Sequence, residues 1–134
     1  MKTGKGYSPL QYAISLGLDD MVNVLSQRDK VNMNQDDPEG FTPLARYVLA
    51  QKFDMARKLL SRGADVNATN HEGKSALIIA IEDENHPAVK FLLEKNAYPH
   101  IEDVRGWDAC DYAARAQDAV AYRGVFEPCR SELR

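Results

Sequence analysis

Four phrases, each opened by a glycine, recur along this chain of 134 residues: Gly6-Tyr7-Ser8-Pro9-Leu10, Gly40-Phe41-Thr42-Pro43-Leu44, Gly73-Lys74-Ser75-Ala76-Leu77 and Gly106-Trp107-Asp108-Ala109-Cys110. The glycines stand 34, 33 and 33 residues apart. A period of this length across nearly the whole sequence marks stacked supersecondary units, each too small to bury its apolar face alone. Ser8, Thr42, Ser75 and Asp108 are residue types whose side-chain oxygen caps a helix by accepting a free backbone N–H. Pro9 and Pro43 follow at the first helical position, where a missing N–H does no harm. The pattern predicts short first helices starting at Pro9, Pro43, Ala76 and Ala109, each turning into a second helix.

The second helices carry apolar sets at helical spacing: Met21/Val22/Leu25, Met55/Leu59/Leu60, Val89/Leu92/Leu93 and Val120/Val125/Phe126. Such spacing predicts a buried stripe. Beyond them come Lys30-Val31-Asn32-Met33-Asn34, Gly63-Ala64-Asp65-Val66-Asn67 and Asn96-Ala97-Tyr98-Pro99-His100. Gly or Asn at the head of that segment suits the left-handed conformation that ends a helix, and an extended finger is expected to follow. With the Thr42-Pro43-Leu44 and Gly63-Ala64-Asp65-Val66-Asn67 phrases as its most specific marks, the sequence from Gly6 to about Arg130 resembles the ankyrin repeat family. The resemblance implies an all-α solenoid of four helix-turn-helix repeats joined by finger loops. It also implies a single domain over 1–134, with repeats expected at about 6–39, 40–72, 73–105 and 106–134.

Departures from the family pattern are informative. The family's His after Thr-Pro-Leu is replaced by Gln11, Ala45, Ile78 and Asp111, so its usual tie to the Thr is missing or altered. Between the paired helices, where the family favours Gly, only Gly17 complies; Gln51, Glu84 and Gln117 stand elsewhere. A non-glycine residue held at positive φ costs about 1 kcal/mol relative to Gly. Moderate stability is therefore expected. The extra residue near Asp29 and Lys30 predicts a small loop bulge. The stretch from Glu127 to Arg134 reads as a carboxy-terminal cap, whereas the first repeat reads like an interior unit that something could precede.

Composition narrows the function classes. Apolar residues make up 44% and charged ones 28%, ordinary for a folded domain. The net charge of −3, without a run of five or six like charges, argues against nucleic acid as a partner. No apolar stretch approaches the ~20 residues of a membrane span. His71, His86 and His100 lack metal-ligand spacing. Gly73-Lys74-Ser75 lacks the upstream glycine of a phosphate loop. No catalytic residue, metal or cofactor is therefore assigned, and the chain is expected to be a monomer when free.

The resemblance implies a binding surface formed by the fingers and first helices. The position after each opening glycine is not dictated by the fold, and it holds Tyr7, Phe41, Lys74 and Trp107. Rings repeated in register suit interface anchors; the alternative is that each covers its neighbouring finger or helix. Tyr12, Arg46, Ile79 and Tyr112, with Leu49, Glu82 and Arg115 one turn on, are expected on the same side, Ile79 leaning toward the core. The fingers add Asp36, Asp37, Glu39, Glu72, Glu102 and Asp103 against Lys74 and Arg105. These charges either favour a basic partner patch or are simply solvated. Glu82, Asp83 and Glu84 crowd the negative end of a predicted helix, which the fold does not require; a partner's cation or plain solubility would account for them.

Cys110 and Cys129 are the only cysteines, at the start of one predicted helix and past the end of its antiparallel mate. They are a possible disulfide, although Cys110 also suits a small buried hydrophobe. A cytoplasmic setting with free thiols is expected; a bridge would instead imply the periplasm or the exterior. The function expected is non-catalytic protein binding, with an inhibitor or antitoxin-like protein as its specific form. A targeting or assembly module of a larger enzyme or effector is the alternative.

Overall fold

The computed structural model describes residues 6–27 and 31–116. These residues form seven helices in chain order: α1 (Pro9–Ser15), α2 (Asp19–Ser26), α3 (Pro43–Leu49), α4 (Phe53–Ser61), α5 (Ala76–Glu82), α6 (His86–Glu94) and α7 (Ala109–Arg115). Among the described residues there is no strand; an isolated bridge joins Thr69 and Ser75. The bulge near Asp29 and Lys30, the helix carrying Val120, Val125 and Phe126, and the cap from Glu127 fall outside the described residues, as does Gln117.

The first helices begin where the caps predict. The side chains of Ser8, Thr42, Ser75 and Asp108 accept the backbone N–H groups of Gln11, Ala45, Ile78 and Asp111 at 3.2, 3.2, 3.3 and 3.0 Å. Each such bond satisfies one of the donors a helix start leaves open. The helices end on left-handed residues: Gly17 at φ 72°, Gln51 at 61° and Glu84 at 52°. At each end the next N–H turns back onto the helix, as Lys52 N does to Tyr47 O and Asn85 N to Ala80 O, both at 2.9 Å. Gly63 and Asn96 end α4 and α6 in the same way, at φ 102° and 65°.

Successive hairpins pack side by side. Leu10, Leu44, Leu77 and Cys110, one from each first helix, are all buried, as are Val22, Ala56 and Val89 from the second helices. Phe53 of α4 and Phe91 of α6 stack at 4.7 Å between centroids. Burying one Leu or Phe side chain is worth roughly 1.5–3 kcal/mol, so this column supplies the main cohesion between units. One expectation fails: Met21 of the predicted stripe is exposed while Val22 is buried and Leu25 half-buried.

Replacing Glu84 with Gly should raise stability by about 0.5–1 kcal/mol, because the left-handed backbone strain disappears while the unfolded chain gains some freedom. Urea unfolding at neutral pH measures this. An unchanged or lowered midpoint would show that the φ of 52° is not strained.

Candidate functional site

The surface with the most built chemistry is the one shared by the fingers and the first helices. Its frame is a turn that repeats three times. Asp37, Asn70 and Asp103 each stand three residues ahead of an opening glycine. Each side-chain oxygen Oδ1 accepts two backbone N–H groups: Glu39 and Phe41 for Asp37, Glu72 and Lys74 for Asn70, Arg105 and Trp107 for Asp103, all at 2.9–3.1 Å. Backbone bonds close the same turns, from Gly40, Gly73 and Gly106 N to the Asp37, Asn70 and Asp103 carbonyls at 2.9 Å. At Gly73 a side chain is excluded for a second reason, since an added Cβ would lie 3.0 Å from Asp103 Cα.

This corrects one expectation. Asp37 and Asp103 are buried, with their carboxylates turned into the turn backbone, and so are not outward-facing acids. Asp36 is also largely occupied: it accepts the His71 backbone N–H at 3.0 Å and pairs with its ring Nδ1 at 2.7 Å, joining two fingers. Glu39, Glu72 and Glu102 remain exposed. The turn residues could have been found in the sequence, because an Asp or Asn recurs in the period of the glycines. A second ladder was equally legible: Asn34 and Asn67 Oδ1 accept Asp65 N and Tyr98 N, one finger on, at 2.8 Å.

Gln11 answers the question raised by the missing His. It completes a reciprocal cap with Ser8, and its Nε2 donates to the Gln35 and Asp36 carbonyls at 3.1 and 3.2 Å. The tie from first helix to finger is therefore kept by another residue. Asp111 makes the reciprocal cap with Asp108.

On this frame the rings lie against cations. Arg46 sits 4.4 Å over the Phe41 ring and pairs with Asp37 and Glu39 at 2.9 and 2.6 Å. Glu39 also accepts the Tyr7 hydroxyl at 2.5 Å. Further along, the Trp107 ring has Arg115 at 4.3 Å and Arg105 at 5.2 Å, with Tyr112 edge-on at 5.2 Å. The Tyr112 hydroxyl donates to Asp103 and accepts from Arg105. Lys74 bridges toward this group, 5.9 Å from the Tyr112 ring and 3.0 Å from Glu82. Glu82 is thus paired within the fold, which corrects the expectation that the fold gains nothing from it; Asp83 is exposed and Glu84 serves the left-handed turn. Phe41 and Trp107 are half-buried and rest on the core, Ile79 is half-buried, and Tyr12 is exposed; Tyr112 is buried in the core, which corrects its expected place on the binding side.

Burial pushes the Asp103 carboxyl up, but the Tyr112 hydroxyl and the Trp107 and Arg105 N–H groups outweigh it and hold it below the usual carboxylate value. For Lys74, burial works against the charge, and Glu82 more than restores it.

Among the described residues, one donor group, His100, Asp108 and Cys110, lies within 4.8 Å. Cys110 is fully buried and is not a free thiol, so its sulfur is not a metal ligand. Cys129 lies outside the described residues.

Comparison with known proteins agrees with this geometry. The family model for ankyrin repeats (three copies) matches residues 1–70 and again 48–122. The chain belongs to the ankyrin repeat family. An ankyrin repeat-containing protein of Treponema pallidum (strain Nichols) is 29% identical over 118 residues, 88% of this chain and 40% of that protein. Human inversin is 42% identical over 64 residues, 48% of this chain and 6% of inversin. The chain therefore spans well under half the length of these relatives. The crystal structure of the Bcl-3 ankyrin repeat domain superposes with a TM-score of 0.70 at 24% identity, covering 85% of this chain and 49% of that one. As a class, ankyrin repeats are interaction modules that hold other proteins, and they are typically non-catalytic.

A pH prediction follows from Asp103. Because its folded pKa is depressed, its contribution to stability is complete above the unfolded carboxylate value, about 3.9, and is lost as pH falls through the lower folded value. Asp103→Asn should narrow the stability gap to the parent between pH 7 and pH 3. Asp103→Ala, which strips both N–H partners, should cost about 1–3 kcal/mol at pH 7. Urea unfolding at both pH values checks this, and a gap independent of pH would remove the carboxylate from the account.

Proposed function

We propose that this chain holds a partner protein on the surface shared by its fingers and first helices, without catalysing a reaction. One observation carries the reading: the fold does not dictate the residue after each opening glycine, yet Phe41 and Trp107 there lie half-open under Arg46, Arg105 and Arg115. Aromatic and Arg side chains held in place are what interface anchors consist of. Tyr7 and Tyr12 extend the same surface, and Glu39, Glu72 and Glu102 with Asp83 give it exposed acids that steer a basic partner patch toward it.

The specific form of the reading is an inhibitor or antitoxin-like protein that covers the working surface of an enzyme. Service as a targeting or assembly module within a larger protein is the second form, favoured by the 40% coverage of the Treponema relative. Both use the same surface.

The immobilised chain, exposed to a lysate of its native organism, should retain a discrete protein. Phe41→Ala together with Trp107→Ala should weaken retention by at least ~30-fold, equivalent to about 2 kcal/mol, while Lys90→Ala on the exposed side of α6 should leave it unchanged. Because both rings rest on the core, folding of each variant is checked by circular dichroism. Equal retention by all variants would exclude this surface.

The compartment is proposed from the thiols. Cys110 is not free, which favours an oxidising setting such as the periplasm or the exterior. Titration of the unreduced, unfolded chain should find no thiol; two would return the chain to a reducing compartment.

A further inference from the structure

We propose that the exposed face of the α1/α2 hairpin is the seat of one more ankyrin-type helical hairpin, joined ahead of Gly6 in the same polypeptide. The argument rests on comparing one position across units. Met21 corresponds to Met55 and Ala88, and Leu25 to Leu59 and Leu92. In the later units these residues are sealed, Met55 at 8% exposure and Ala88, Leu59 and Leu92 at 0%, whereas Met21 is 50% exposed. Leu25 is only half-buried.

Two further positions face the same way, and the direction can be read from their counterparts. Val24 corresponds to Lys58, which is exposed, and to Phe91, which is stacked on Phe53 of the preceding hairpin. Leu18 corresponds to Lys52 and Asn85; Lys52 reaches Asp19, and Asn85 donates to the Leu49 carbonyl at 2.9 Å, each across to the preceding hairpin. Both positions therefore point toward a preceding unit, and in the first hairpin they are leucine and valine at 47% and 56% exposure. Pro9 is exposed, while its counterparts Pro43, Ala76 and Ala109 are buried. A cavity of about 700 Å³ opens beside it, lined in part by Pro9, Leu10, Leu25 and Val31.

A terminal unit that ends an array carries a polar outer face. This hairpin has the reverse, so its face continues the stacking interface seen between α1/α2 and α3/α4. That interface joins different faces of successive units by near-translation. A two-fold dimer would press this face against itself and lose that register, and head-to-tail stacking of copies would run on without closing. A preceding hairpin in the same polypeptide meets both conditions.

The test adds an idealised ankyrin hairpin of one period ahead of Gly6 in the full chain, with and without Met21→Lys and Val24→Glu. In the chain as it stands, the double substitution should move Tm by less than about 3 °C, since both side chains are open to water. With the added hairpin, the unsubstituted face should gain at least ~5 °C more than the substituted one. Leu18→Lys, made alone, should reproduce the difference in smaller measure and guards against a folding defect in the double variant. Equal gains with either face, or no gain, would overturn the proposal, as would a large Tm loss on substituting the chain as it stands. Sedimentation velocity of that chain should show a monomer; a dimer abolished by Met21→Lys and Val24→Glu would give the face to a second copy instead.

Discussion

A hairpin of two short helices cannot close an apolar core around itself, and every other property of this molecule follows from that shortfall. Leu10, Leu44, Leu77 and Cys110 lie buried because each first helix lends a wall to the next. The same requirement fixes the period: the second helix must return beside the first, and the chain must then travel out and back to begin another unit in register. The fingers are the route of that return. Their side-chain chemistry is released from packing, which is why it varies from unit to unit.

Much of this was legible in the residues. Helix starts were marked by Ser8, Thr42, Ser75 and Asp108 because capping is a local event, decided within four residues. The left-handed turns at Gln51 and Glu84 were legible from alignment with Gly17. What escaped was chemistry between units. Nothing local distinguishes Asp37 and Asp103 from solvated acids until Asn70 is seen in the same slot, where a neutral amide does the same work with Oδ1. Its Nδ2 also reaches the Gly40 carbonyl at 2.9 Å. Glu82 misled for a related reason: its partner Lys74 is eight residues away, across the cap of the same helix. Met21 misled because helical periodicity reports which residues share a side, not whether anything stands opposite.

The binding surface combines stiffness with charge. The Phe41 and Trp107 rings each hang from a turn whose backbone N–H groups are held by a buried side chain, and Arg46 is fixed from two directions by Asp37 and Glu39. A partner meeting such a surface orders little chain on contact, which reduces the entropic cost of association. The acids left exposed, Glu39, Glu72 and Glu102, sit one per finger, so their field is spread along the array instead of focused at one point.

The Asn34 and Asn67 ladder, with the His71 to Asp36 link, ties each finger to the next. Among the described residues, bonds of this kind run between adjacent units, as does the packing beneath them. Loosening at one end is therefore not transmitted as a global collapse; it proceeds like a zipper, one tooth at a time. Of the hairpins described in full, α1/α2, with the fewest sealed apolar side chains, is the tooth that opens first.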